Sequence, residues 1–95
     1  MKKGYLIAHI RVHDKEGFEK FKTMVGPIAG DYNGRLLVRN PAPEHREGEL
    51  RGVTIVIEFE SLVQARAFYE SDAYTAARRV RETAAETDLM LVEGI

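Results

Sequence analysis

His9 and Glu58 are the two side chains whose type and placement suit proton transfer. His9 lies in GYLIAHIRV, Gly4–Val12, and Glu58 in VTIVIEF, Val53–Phe59. An imidazole changes charge nearest neutral pH. A carboxylate withdrawn from water holds its proton more tightly and becomes a competent general base. Arg39, closing the run RLLVR, offers a guanidinium to an anionic group. Strand alternation puts Tyr5, Ile7, His9 and Arg11 on one side of the first run, and Thr54, Val56 and Glu58 on one side of the other. The expected site has His9 and Glu58 as catalytic candidates. Arg39, Tyr5, Ile7, Thr54 and Val56 are its ligand-binding candidates, and its ligand is a small anionic metabolite.

Each of these residues has a structural reading too. Glu58 has Tyr5 and Arg35 as its expected cross-strand neighbours and can be a paired carboxylate at a subunit seam. His9 can be an imidazole hydrogen-bonded at the mouth of a barrel. His13 and His45 fall in a strand end and a loop, and no second ligand stands at a telling spacing. No metal, haem or other cofactor is therefore expected. There is no cysteine, which excludes disulfides, thiolate nucleophiles and cysteine metal sites. Ser61 is better used as a helix cap than as a nucleophile. Arg78-Arg79-Val80-Arg81 reads as a solvated helix face, and Tyr69 and Tyr74 as core or interface.

The elements that position these groups follow from periodicity. Leu6, Ala8, Ile10 and Val12 give the first strand an apolar side. Asp14 is placed to cap a helix carrying Phe18, Phe21, Val25 and Ile28, with Gly30 as its stop. Tyr32-Asn33-Gly34 is a turn, and Arg35–Arg39 a second strand with Arg35, Leu37 and Arg39 on one side. The segment 40–52 is a long exposed loop, rich in Pro, Gly and charge. Val53–Phe59 is the third strand. Ser61 and Gln64 form a capping box for a helix with Leu62, Ala65, Phe68 and Tyr69 inward. A break or new cap at Ser71-Asp72 precedes Tyr74, Ala77, Val80 and Ala84, with Arg78, Arg79, Arg81 and Glu82 outward. Asp88–Glu93 is the last strand.

The order β-α-β-β-α-β is the ferredoxin-like arrangement of an α+β domain. Right-handed crossovers give an antiparallel four-stranded sheet of order 4-1-3-2, with both helices on one face. The other face is left with Ile7, Leu37, Val56 and Leu91 along its middle, an apolar band of the kind that marks an interface. Residues 1–95 make one domain. With 44% hydrophobic and 31% charged residues, the composition is that of a globular domain. A net charge of −1, and Glu58 where RNA-binding sheets of this topology present aromatics, argue against a nucleic-acid partner. Met1-Lys2-Lys3 imitates a signal-peptide start, but His9 and Arg11 interrupt the apolar run, and no window approaches a membrane span. A cytoplasmic location and no membrane partner are expected.

The segments GYLIAHI, NGRLLVR, Glu47-Gly48, VIEF with Ser61, AxxFYESDAY and LVEG, in this order over nearly the whole chain, resemble the domain of unknown function 1330 family. That family sits within the dimeric α/β-barrel superfamily. Asn33 departs from it, standing where the family has a second glycine; Asn tolerates positive φ, so the turn is expected to survive. The resemblance implies a homodimer whose two sheets close a barrel around a small-molecule cavity. The resemblance implies no established activity: relatives in the superfamily include cofactor-independent monooxygenases, muconolactone-isomerase-like enzymes and haem-handling proteins. The first expectation is a cofactor-independent enzyme, monooxygenase-like or isomerase-like. The alternative is a non-catalytic dimeric binding or regulatory module, in which the open face is interface only.

Overall fold

A computed structural model describes residues 2–95; Met1, which begins the Met1-Lys2-Lys3 start, lies outside them. Four strands, β1 Gly4–Val12, β2 Arg35–Asn40, β3 Val53–Phe59 and β4 Ala85–Glu93, form one antiparallel sheet of order β2-β3-β1-β4. This is the expected order. The helices are three rather than two: α1 Lys15–Asp31, α2 Leu62–Glu70 and α3 Asp72–Ala84. Ser71 divides the second helical stretch. Its extended backbone ends α2, and its hydroxyl accepts a bond from Tyr74 N–H at 3.1 Å to start α3.

The core lies between the sheet and the helices. Leu6, Ala8, Ile10, Ile57 and Phe59 supply the sheet side, and Phe18, Phe21, Phe68, Tyr74 and Ala77 the helix side. Phe68 is fully buried, with Phe59 and Tyr74 ring centroids 5.0 and 4.7 Å away. Such tilted aromatic contacts add to the area they bury.

Local chemistry sets the helix ends. The Asp14 carboxylate accepts from Gly17 N–H at 3.2 Å and caps α1. The helix runs past Gly30 to Asp31, because the stop is built two residues later. Asn33 adopts φ 58°, its N–H reaches Gly30 O at 3.0 Å, and Gly34 N–H reaches Ala29 O at 2.7 Å. This is a Schellman closure with Asn in the left-handed position. Ser61 caps α2 by accepting from Gln64 N–H at 3.1 Å. The Gln64 amide does not reach back to the cap; it donates to Tyr32 O at 3.1 Å and ties α2 to the end of α1.

Candidate functional site

The pairing register decides what each face of the sheet presents. Ile7 stands opposite Val56 on one side and Met90 on the other, and Val38 stands opposite Val56. Val38, Val56, Ile7 and Met90 thus form a row across all four strands on the face away from the helices. Met90 is 49% exposed and Val38 38%. The expected band is therefore real but differently composed. Leu91 pairs with Leu6 and Glu93 with Gly4, which turns both toward the helices. Leu37 is the extra residue of a bulge, sharing with Val38 the place opposite Val56.

Polar groups flank the row. At one end Tyr5 Oη donates to Glu58 Oε2 at 3.1 Å. That bond, ahead of desolvation and the negative charge of Glu58, raises the Tyr5 hydroxyl above its ordinary pKa. Arg35 stands opposite Glu58 in the register, but among the described residues the expected ion pair is not formed. At the other end His9 Nδ1 lies 3.4 Å from Thr54 Oγ1, the outer limit of a hydrogen bond. Arg11 pairs with Asp88 at 3.0 Å and donates to Arg51 O at 3.1 Å, tying the loop 41–52 to the sheet. His45 meets Gly48 O and Arg51 within that loop. Between the loop and the sheet lies an open groove of about 320 Å³, with His9 and Thr54 as its floor.

Arg39 is not in this groove. The bulge at Leu37 shifts the alternation of β2 by one residue, so Arg39 pairs with Ile55 and faces the helices, while Asn40 takes the place opposite Thr54. The expected grouping of His9, Thr54 and Arg39 is corrected to His9, Thr54 and Asn40. Arg39 instead lines a different space, a cavity of about 380 Å³ between the sheet and α1.

That cavity is walled by Leu6, Ala8, Ile10, Ile55 and Ile57 from the sheet and by Phe18, Phe21 and Val25 from α1. Among its lining residues only Lys22, Arg39 and Arg81 carry charge, and all three are cationic. Arg81 is 5% exposed, against the expectation of an outward residue. The new cap at Ser71 sets the phase of α3, and Tyr74, Ala77, Arg81 and Ala84 then share its buried face. Arg81 Nη1 donates to Tyr74 Oη, and its guanidinium carbon lies 5.4 Å from the centroid of the Phe21 ring. Its Nε is buried without a hydrogen-bond partner, and among the described residues no carboxylate pairs with it. Burial raises the Tyr74 hydroxyl above its ordinary pKa, against the lowering influence of Arg81, so Tyr74 is neutral at physiological pH. The one available signal for this site was the spacing 74, 77, 84, which leaves a slot at 81. Among the described residues no group of three or more His, Cys, Asp or Glu is arranged to hold a metal ion.

An antiparallel open sheet of order β2-β3-β1-β4, covered on one face by helices, defines a ferredoxin-like α+β protein. Solved structures share this arrangement at low sequence identity. RPA0582 from Rhodopseudomonas palustris, of unknown function, matches with a TM-score of 0.79 and 14% identity, over 99% of this chain and 83% of that one. A dimeric ferredoxin-like protein of unknown function from Thermobifida fusca matches with a TM-score of 0.62 and 17% identity, over 99% and 92%. SnoaB from Streptomyces nogalater, a cofactor-independent oxygenase, matches with a TM-score of 0.60 and 11% identity, over 97% and 92%. No curated protein matches the chain. The chain belongs to the family described as Domain of unknown function (DUF1330), whose model matches residues 3–95.

Proposed function

We propose that this protein is a homodimeric small-molecule-binding protein with its two tasks on opposite faces of one sheet. The open face is the dimer seam. The space between the sheet and α1 is the ligand site. The observation that carries this reading is the cavity itself: about 380 Å³ of mostly apolar space, in the size range of small-molecule sites. Support for the seam is the row Val38, Val56, Ile7 and Met90, which burial against a second copy would remove from water. The dimeric neighbour from Thermobifida fusca is consistent with it.

The cavity lining contains no His, Asp or Glu. Tyr74 is neutral and held by Arg81, so no lining side chain is poised to take a proton near neutral pH. Binding is therefore better supported than a cofactor-independent oxygenation begun by a base in this cavity. His9 and Glu58, the expected catalytic residues, lie on the other face and would abut the partner.

The test has two parts. Light scattering of the purified protein should give twice the chain mass of 10.8 kDa. A thermal-shift screen of neutral apolar probes, naphthamide and decanamide among them, should raise the melting temperature. A monomer would remove the seam, and no shift with any probe, charged or neutral, would remove the ligand site.

A further inference from the structure

Arg81 is a buried cation with spare donors at the wall of a cavity that has no negative charge. A guanidinium carries five N–H donors and stays protonated. Here one of them meets Tyr74 Oη, and Nε has no partner. An unpaired buried charge is costly, and structures normally offset it with a carboxylate. Three offsets are present in part: the faces of Phe21 and Tyr74, the Tyr74 hydroxyl, and the C-terminal end of α3, where Arg81 lies in the last turn. None of them uses the Nε donor or supplies a full negative charge. Lys22 and Arg39 add positive potential at the same cavity.

We propose that the ligand of this cavity is an apolar molecule with a single carboxylate, whose oxygens accept from the Arg81 guanidinium while its hydrocarbon part lies among Ile10, Phe18, Phe21 and Ile55. The proposal rests on the ligand-site reading above and adds the chemistry of the headgroup. A planar carboxylate matches the guanidinium fork, and the bond is charge-assisted between mostly apolar walls. The apolar walls select against small hydrophilic acids, which would give up hydration without gaining contact.

The test compares each carboxylate with its own primary amide, naphthoate with naphthamide and decanoate with decanamide, by calorimetry on the whole chain. The carboxylate should bind roughly tenfold or more tightly than the amide, as a hydrogen bond to a charged group requires. At high salt, where the surface attraction of Arg39 is screened, Arg81→Met should abolish that preference, and Arg81→Lys should keep only part of it. Tyr74→Phe, which frees Nη1, should leave it intact. The Arg81 Nε–H resonance of the native protein should move on adding the carboxylate and not the amide, which serves if Arg81→Met fails to fold. Equal binding of acid and amide, or a preference that survives at high salt in Arg81→Met, would overturn the headgroup assignment and leave the ligand site standing. Binding of neither would overturn both.

Discussion

Tyr5 donates a hydrogen bond from its hydroxyl to the Glu58 carboxylate across the β1–β3 pair, at 3.1 Å. The bond favours the protonated phenol, and the Tyr5 pKa is raised, first by this hydrogen bond and then by desolvation. A group whose folded pKa is raised contributes stability that is fully present below its unfolded pKa and lost as pH rises through the folded value. Tyr5 should therefore favour the fold below about pH 10, the ordinary phenol value, and lose that contribution at higher pH. Absorbance titration of tyrosinate should show a late component that moves earlier in Glu58→Gln. An unmoved titration would show that Glu58 does not hold this proton.

Val56 is the residue through which the proposed dimer would be most readily broken. It is half-buried, with Ile7 and Val38 directly opposite and no part in the helix-side core. Val56→Asp would place a charge in the middle of the seam, where it has no partner. The variant should sediment as a folded monomer with a native far-UV spectrum. A folded Val56→Asp dimer would place the interface elsewhere.

Asn33 tests the α1 closure. At φ 58° it occupies backbone space that β-branched residues avoid, while glycine occupies it freely. Asn33→Gly should leave the melting temperature nearly unchanged. Asn33→Val should cost on the order of 1–3 kcal/mol, the strain of a non-glycine residue held in that region. Chemical denaturation of the two variants separates them, and equal stabilities would mean that the turn relaxes.

The faces of β1 and β3 were legible because their alternation is unbroken: Leu6, Ala8, Ile10 against His9 and Arg11, and Ile55, Ile57 against Thr54 and Glu58. In β4 the run Leu89, Met90, Leu91, Val92 is apolar in both phases, so period two carries no signal, and only pairing with Leu6 and Ile7 shows that Leu91 faces the helices and Met90 does not. The bulge at Leu37 has no local signature either, since it exists only relative to β3. Arg81 was hidden by residue type. A guanidinium on a helix is read as solvated, and its burial follows from the phase that Ser71 imposes on α3.

The opposite placement of His9 and Arg39 gives a test of the whole site assignment. Both were expected to hold one anion on the open face, but the bulge sends Arg39 to the helix side, at the cavity that holds Arg81. Arg39 is exposed, so its attraction for an anion is a surface effect worth about 0.2–1 kcal/mol. Arg39→Ala should weaken naphthoate binding roughly two- to fivefold at low salt, and the loss should shrink as salt screens it. Arg81 is buried, so the loss in Arg81→Met should be larger and nearly independent of salt. His9→Ala should leave naphthoate binding unchanged and stability within about 1 kcal/mol, the usual range away from the core. Calorimetry of the three variants at two ionic strengths distinguishes these cases. Should His9→Ala abolish binding while Arg39→Ala and Arg81→Met do not, the ligand lies in the groove beneath the loop 41–52, and the helix-side cavity is only a packing defect.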